Sequence, residues 1–381
     1  MPVTVKTIDS LHAVSAAEWN ALAGKQFPFI QYEFLIALEN HGAVGKEFGW
    51  ITNFFLAYKD NELVGALPVY IKFNSYGEFV FDWAWADAYQ QNHLRYYPKL
   101  VTSIPYTPAT GPRILVKENN NHTEIANLLT TAVLSFAEQA QLSSYHCLFT
   151  NKQDTDYFNN NPDFMMRLGC QFHWQNNNYS SFEHYLEHLT SKKRKQIKRE
   201  RRIVMQQDIQ FEIINGHQAT ENQWQIYHRF YESTFERKSG MPTLSKSFFM
   251  EIAKTMPDNI VLVLASYNGD YVASAFNLRG TDTLYGRHWG CSEEFDNLHF
   301  EACYYQGLDY CIKNGLSYFE PGAQGEHKIA RGFMPTKTWS AHWIAHPQFR
   351  QSINQFLNHE TQGMLHYINE LNEHSPFKKE S

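Results

Sequence analysis

The chain has 381 residues, of which 43% are hydrophobic and 19% are charged, with a formal net charge of −6. This length favours two domains of ordinary size, and the composition excludes wholesale disorder. The negative charge excludes a protein that binds nucleic acid over its whole surface. No apolar run reaches the length of a membrane span, the N-terminus lacks a signal-peptide pattern, and the five cysteines form no CxxC pair. We therefore expect a cytoplasmic protein without a disulfide scaffold.

The first predicted elements are two similar hairpins, one in each half of the chain. Residues 54–71 (FFLAYKDNELVGALPVYI) and residues 262–279 (LVLASYNGDYVASAFNLR) each place a turn between two apolar runs. Leu56 and Leu264 occupy the same place in the two patterns, at an offset of 208 residues (264 − 56). We expect a further strand after each hairpin, ending in FDWAWAD in the first half and in LYGRHWG in the second.

This repetition predicts a duplicated α/β unit. The expected boundaries are residues 1–165 for the first unit and residues 166–350 for the second. Residues 351–381 are predicted to form a C-terminal helix and a loose tail.

The second half opens with a strongly basic segment, residues 182–207, which the pattern predicts to be one long helix. Its stretch SKKRKQIKRERR has eight positive residues and one glutamate, a net charge of +7, so the rest of the chain carries −6 − 7 = −13. Such a concentration of charge favours a phosphate-bearing ligand, whereas the structural alternative is a solvated helix face. The candidate phosphate-binding residues are Arg194, Lys195, Lys198, Arg199 and Arg202, of which Lys195, Arg199 and Arg202 would share one face.

Further elements follow in order along the second half. Helices are predicted at residues 221–238, 245–256 and 299–315, and short strands at residues 316–321 and 336–346. Residues 349–371 have a helical pattern.

The segment GAQGEHKIARGF, residues 322–333, combines three glycines with a cluster of charged side chains. Lys328 and Arg331 are three residues apart and could face one anionic group, and Glu326 or His327 could take a proton from an attacking amine. The functional interpretation is a ligand-binding loop at the end of a central strand. The structural alternative is a strand exit followed by one capped helical turn.

Two neighbouring motifs supply further candidates. LYGRHWG ends a strand, and alternation would send Arg287 and Trp289 to one face and His288 to the other. A core cation–π pair is the structural alternative there. His299 and Glu301 fall in a first helical turn, where Glu301 is either a candidate base or a carboxylate favoured by the helix dipole.

Metal-dependent and serine-hydrolase chemistry are both disfavoured. Of the histidines that could ligate a metal, His342 and His346 alone have helical ligand spacing, yet they lie in a strand pattern. The chain has neither an HExxH motif nor a GxSxG elbow. We therefore predict no metal site.

The order of elements in the second half, and above all the motif LYGRHWGC…LHFEACYYQGLDYCIKNGLSYFEPGAQGEHKIARGFMPT, resembles the FemAB-like branch of the acyl-CoA N-acyltransferase (GNAT) superfamily. The motif is also similar to a bacterial family of predicted N-acyltransferases that are often described as peptidoglycan-biosynthesis proteins. The resemblance implies two tandem GNAT-like units, each with a mixed central sheet flanked by helices. It also implies transfer of an acyl or aminoacyl group from an activated carrier to a primary amine.

The resemblance implies a donor carrier rather than a tightly bound cofactor, and acyl-CoA, acyl carrier protein and aminoacyl-tRNA are the candidates. A tRNA would contact the basic helix. Ordinary GNAT enzymes hold the donor pyrophosphate on a glycine-rich loop, whereas the corresponding CSEEFDN carries Glu293, Glu294 and Asp296. This departure puts simple acetyl-CoA use in doubt and favours the basic helix as the phosphate site.

Roles follow from this layout. His327, Glu301 and Glu326 are the candidate bases, with His327 first because it needs the smallest pKa shift to act near neutrality. The candidate substrate-binding residues are Arg287, His288, Trp289, His299, Gln324, Lys328 and Arg331. Two other functions stay open: long-chain acyl transfer to an amino-lipid or amino acid, and a non-catalytic protein that binds RNA or a partner.

Overall fold

The computed structural model describes residues 2–237, 240–322 and 325–378. Its strands are β1 Thr4–Ile8, β2 Trp50–Thr52, β3 Phe54–Lys59, β4 Glu62–Leu67, β5 Tyr70–Lys72, β6 Lys99–Thr102, β7 Leu115–Val116, β8 Ser144–Leu148, β9 Met165–Gln175, β10 Gln210–Ile214, β11 Ile260–Tyr267, β12 Asp270–Arg279, β13 Thr283–Cys291, β14 Tyr318–Glu320 and β15 Met334–Ile344. Its α-helices are α1 Ala16–Ala23, α2 Tyr32–Asn40, α3 Trp83–Gln91, α4 His122–Gln139, α5 Lys152–Asn159, α6 Phe182–His188, α7 Ser191–Gln206, α8 Glu221–Arg237, α9 Lys246–Thr255, α10 Leu298–Phe300, α11 Gln306–Lys313 and α12 Pro347–Glu373. A π-helical turn, Glu301–Tyr305, joins α10 to α11, and a 3₁₀ segment, Glu326–Arg331, precedes β15.

The chain forms two compact units. The first comprises Met1–Cys170 with Lys337–Tyr367, and the second comprises Gln171–Thr336 with Ile368–Ser381. The chain passes from the first unit to the second within β9 and returns within β15. Among the described residues, every helix is too short or too polar to span a lipid bilayer.

Residues 337–367, which the sequence assigned to the second unit and the tail, group with the first unit for two reasons. Ser340–Ile344 of β15 pairs antiparallel with β8. Ile353 and Leu357 of α12 pack in one apolar cluster with Trp85 and Tyr89 of α3. These contacts join residues that lie far apart in the sequence, so local sequence patterns do not predict them.

Two sheets and a shared core build the first unit. One sheet is antiparallel, with strand order β1-β3-β4-β7. In the other, β2 pairs with β5, β5 with β6, β6 with β8 in parallel, and β8 with β15. Helix α4 packs Ile125, Leu129 and Val133 into an apolar cluster with residues of both sheets, among them Phe55 and Tyr145.

The second unit is built on one mixed sheet. Antiparallel pairing joins β10, β11, β12 and β13 in that order, β13 then pairs with β14 in parallel, and β14 pairs with residues 174–175 of β9. Helices α8 and α9 pack Trp224, Tyr227 and Phe249 onto Phe276 of β12. The π-helical turn Glu301–Tyr305 places Ala302 against Val263 and Ala275. The predicted fold class, α/β with two tandem units that each combine a mixed sheet with flanking helices, is confirmed.

The two hairpins are equivalent down to their register. Leu56 pairs with Ala66 and Leu264 pairs with Ser274, so both partners share the offset of 208 residues (274 − 66). A register shift interrupts each ladder one residue beyond the leucine. Because an irregularity at one matching position is improbable between unrelated hairpins, the predicted duplication is confirmed.

Three sequence-based expectations were wrong in detail. FDWAWAD opens helix α3 rather than ending a strand, since Trp85 and Tyr89 are buried at helical spacing. The single long basic helix is two helices, α6 and α7, broken at Leu189, which is fully buried and bridges to Phe377. The third expectation concerned the tail, which was predicted to be loose. The bridge to Phe377 and the Thr190 amide, which donates to the Pro376 carbonyl at 2.8 Å, fix the tail as far as Lys378.

Candidate active site

The site begins where two parallel strands of the second unit part. Strand β13 pairs with β14 only over Thr283–Tyr285, after which β14 ends at Glu320 while β13 continues to Cys291. At the parting point Gly286 approaches Pro321 closely, since a Cβ on this glycine would lie 3.1 Å from the proline Cα. Ligands of α/β folds bind beyond the carboxyl ends of parallel strands, so this gap is the candidate cleft.

Aromatic and imidazole rings from three segments meet at the gap. The Trp289 ring on β13 lies 5.3 Å from His299, which lies 5.4 Å from Tyr304. The Tyr304 hydroxyl forms a 2.9 Å hydrogen bond with Nε2 of His327 in the 3₁₀ segment. The structure therefore brings together Trp289, His299 and His327, three of the residues predicted from the sequence.

His327 is exposed at the mouth of this cluster and has a perturbed imidazole. Partial burial, followed by the charges of Arg331 and Lys328, lowers the pKa of His327 below its ordinary value of 6.5. A neutral imidazole is therefore the main form near pH 7. The Tyr304 hydroxyl orients the ring, so His327 can accept a proton at a fixed position.

Lys328 is buried beside His327, with 3% of its surface exposed. Its ammonium group donates to the Gly322 carbonyl at 2.8 Å. Burial lowers the pKa of Lys328 to about 8, and the nearby Cys303 thiol opposes that shift. The side chain remains mostly cationic at neutral pH and places a positive charge next to the candidate base.

Arg331 points into the protein rather than into the cleft. Its guanidinium donates to Glu200 at 2.9 Å and to the His327 carbonyl at 2.8 Å, and it stacks 3.5 Å from the centre of the Phe300 ring. The sequence predicted Arg331 to bind a substrate anion. In this arrangement its charge is already paired, and it positions the backbone of His327.

Glu200, the lone acid of the basic helix, was not predicted as a site residue. It accepts hydrogen bonds from Arg331, Tyr305 and, at 2.9 Å, Gln196. Its position had a detectable signal, because Glu200 lies on the same helical face as the buried Ile197 and Val204.

Glu301, a predicted base, is held by Arg201, an arginine of α7. Arg201 donates to both carboxylate oxygens of Glu301, at 2.9 and 3.2 Å, and Gln306 donates at 2.8 Å. Burial raises the pKa of Glu301, while the Arg201 charge acts in the opposite direction. Arg201 also pairs with Asp309 at 2.8 Å, so these contacts join α7 to the π-helical turn and to α11.

The strand motif is interrupted by a β-bulge at Arg287. Phe276 faces His288 and Asn277 faces Gly286, so the register of the ladder shifts at Arg287. The expected alternation is therefore broken. Burial lowers the pKa of Arg287 to about 10, against the opposing effects of Tyr227, Tyr231 and Glu320.

His288 lies in an aromatic cluster away from Trp289. Its ring packs 4.9 Å from Tyr231 and 6.2 Å from Phe249, on the face covered by α8 and α9. Burial lowers the pKa of His288 well below its ordinary value, so it is a neutral core histidine. Glu326 is exposed, and Gln324 lies outside the described residues.

The exposed face of α7 carries the basic residues. Lys195, Arg199 and Arg202 share this face, as their spacing predicted, and no ion-pair partner contacts them within residues 2–237, 240–322 and 325–378. Lys198, also exposed, pairs with Glu183 at 2.6 Å. Arg194 is half-buried.

A protein-family model, FemAB-like, described as peptidoglycan biosynthesis/recognition, matches residues 10–379. The chain belongs to the FemAB-like family. No curated protein sequence matches it.

Solved structures similar to this FemAB-like chain share its fold at low sequence identity. FemX has a TM-score of 0.53 at 10% identity, over 92% of this chain and 100% of that chain. The C-terminal domain of a putative lysylphosphatidylglycerol synthetase from Agrobacterium fabrum has a TM-score of 0.54 at 6% identity, over 90% and 96%. L-PGS from Bacillus licheniformis has a TM-score of 0.50 at 11% identity, over 84% and 93%. At these identities the similarity describes the fold alone.

Proposed function

We propose that this FemAB-like protein transfers an acyl or aminoacyl group from an activated carrier to a primary amine in cell-envelope biosynthesis. One observation carries the proposal: Trp289, on β13 beyond its pairing with β14, and His327, on the 3₁₀ segment that follows β14, belong to one cluster of rings. His299 and Tyr304 connect them. The family description and the GNAT-like fold support the class of reaction.

The chemistry needs a proton acceptor, because an alkyl amine resembles lysine and is protonated at neutral pH, with a pKa of about 10.4. His327 takes the ammonium proton, and the amine nitrogen then forms a bond to the carbonyl carbon. His327 passes that proton to solvent and takes a second one from the nitrogen of the tetrahedral intermediate, which collapses by breaking the bond to the carrier's sulfur or oxygen. The departing sulfur or oxygen receives this second proton from His327, so the products are the amide and the protonated carrier. Lys328 supplies a positive charge beside the oxyanion as it develops.

We infer that the carrier is a polyanion such as aminoacyl-tRNA. Where ordinary GNAT enzymes hold a pyrophosphate, the exposed loop carries Glu293, Glu294 and Asp296, which would repel it. Lys195, Arg199 and Arg202 offer the opposite charge along an exposed face of α7. Extended cationic surfaces of this kind release counterions when they bind nucleic acid.

The pH dependence of transfer tests the two assigned roles. As pH falls through the lowered pKa of His327, the imidazole gains a proton and stops acting as a base. As pH rises through about 8, Lys328 loses its charge. We expect His327→Asn to remove the acid limb and to slow transfer about 10²–10⁴-fold. Lys328→Met is expected to remove the alkaline limb.

Exposed residues of the same types serve as controls, and His359→Asn and Lys337→Met should keep both limbs. If the His327 and Lys328 variants keep the wild-type limbs as well, the assigned roles are wrong.

A further inference from the structure

The first unit displays five aromatic side chains from one short segment, the aromatic loop, residues 73–83 (FNSYGEFVFDW). The exposed fractions are Phe73 55%, Tyr76 70%, Phe79 41%, Phe81 53% and Trp83 40%. The rings of Tyr76 and Trp83 touch, with centroids 5.4 Å apart. Single exposed apolar residues are ordinary on a protein surface, whereas a contiguous group marks a binding surface.

The charged residues of the aromatic loop all turn inward. Glu78 and Asp82 are 2% and 3% exposed, and both contact the ammonium group of Lys99, which is fully buried. Lys99 also donates to Ser75 at 2.9 Å. The outward surface of the loop therefore carries no charge, and a buried ion cluster fixes its shape from below. Such clusters add little stability, but breaking one is costly, so the loop is held in a single conformation.

The backbone of the loop also holds an aromatic ring outward at a conformational cost. Phe79 has φ 61°, in the left-handed region that bulky side chains rarely adopt. Gly77, with φ 79°, sits against Tyr106, whose ring a Cβ would approach to 2.6 Å. Strained residues of this kind persist where the surroundings over-determine them, and they cluster at functional sites.

The size and chemistry of the surface point to its occupant. An aromatic side chain has about 150–250 Å² to bury, so at these exposures the loop offers roughly 500 Å² in total. A stable protein partner needs about 800 Å² on each side. A lipid surface deforms around a protruding loop and needs no matching shape. Trp and Tyr concentrate at the boundary between membrane and water, and no charge on the outward surface has to be desolvated.

We propose that the aromatic loop docks the protein on a lipid bilayer by inserting its rings into the interface. The inference rests on the first unit alone and is independent of the proposed transfer reaction. Insertion of uncharged rings depends on buried apolar area. Binding should therefore be similar on neutral and anionic vesicles and should not weaken with salt.

The test is co-sedimentation of the full chain with phosphatidylcholine vesicles and with mixed phosphatidylcholine/phosphatidylglycerol vesicles. We expect Phe81→Ser combined with Trp83→Ser to lower the partition coefficient at least about tenfold on both. Phe356→Ser is the matched control, because Phe356 is 45% exposed on α12 and should leave binding unchanged. Phe79→Gly relieves the backbone strain, so it should weaken binding without lowering the thermal midpoint.

Several results would overturn the proposal. They are no binding of the wild type, equal binding of the wild type and the double variant, and binding that requires phosphatidylglycerol and disappears in salt. A dimer in sedimentation velocity that the double variant abolishes would assign the loop to a second copy of the chain instead.

Discussion

Replacing Glu200 by glutamine removes the carboxylate that balances the buried charge of Arg331. The two side chains are 11% and 4% exposed and 2.9 Å apart. Removing one partner of a buried pair leaves an uncompensated charge and destabilises by about 3–5 kcal/mol. Glutamine retains a hydrogen-bond acceptor for Tyr305, so we expect the lower end, about 3 kcal/mol, in urea unfolding followed by far-UV circular dichroism.

The control lies at the beginning of the neighbouring helix. Glu183 pairs with Lys198 at 2.6 Å, but their side chains are 66% and 50% exposed. Because exposed pairs contribute at most about 1 kcal/mol, Glu183→Gln should lower the free energy of unfolding only slightly. An apolar pair, Glu200→Leu with Arg331→Met, should be more stable than Glu200→Gln. Equal effects of Glu200→Gln and Glu183→Gln would refute the account of the buried pair.

Two further changes probe the packing of α8 and the charge of α7. A Cβ at Gly290 would lie 2.0 Å from a backbone carbonyl oxygen of α8, so Gly290→Ala should lower the free energy of unfolding in urea by about 3 kcal/mol. As the control, Gly363→Ala in the open interior of α12 should raise the free energy of unfolding by about 0.5–1 kcal/mol. A small effect at Gly290 would contradict the close approach of β13 to α8. Changing Lys195, Arg199 and Arg202 to glutamine should weaken tRNA binding and lower the slope of log affinity against log salt by about 2–3, and an unchanged slope would show that this face is only solvated.

The fold was predictable where local pattern and tertiary contact agree. Both hairpins place a turn between two buried apolar strands, as their sequences indicate, and their registers match at the predicted offset. The segment FDWAWAD fits a strand or a helix equally well, and the packing of Trp85 against Ile353, distant in sequence, decided for the helix. In the same way, the break in the basic helix depends on Phe377, far along the chain.

The location of the candidate site was predictable from the sequence, whereas the hydrogen bonds and ion pairs between its residues were less so. Trp289, His299 and His327 were predicted separately as site residues, and the structure places their rings in one cluster. The pairing of Arg331 with Glu200 spans 131 residues, so a count of charges in the basic segment could not reveal it. The sequence signal for the burial of Glu200 was its position on the same helical face as apolar residues. The eight positive residues around Glu200 obscured this signal.

Direct detection of the amide product tests the central claim. The purified chain would be incubated with aminoacyl-tRNA, acyl-CoA or acyl carrier protein thioesters and with a panel of primary amines carrying a heavy-isotope label, and the products analysed by mass spectrometry. We expect a labelled amide with at least one donor, formed about 10²–10⁴-fold more slowly by His327→Asn and at the wild-type rate by His359→Asn. A product formed equally fast by His327→Asn would contradict the assignment of the cleft, and the absence of any amide with every donor would contradict the proposed transfer.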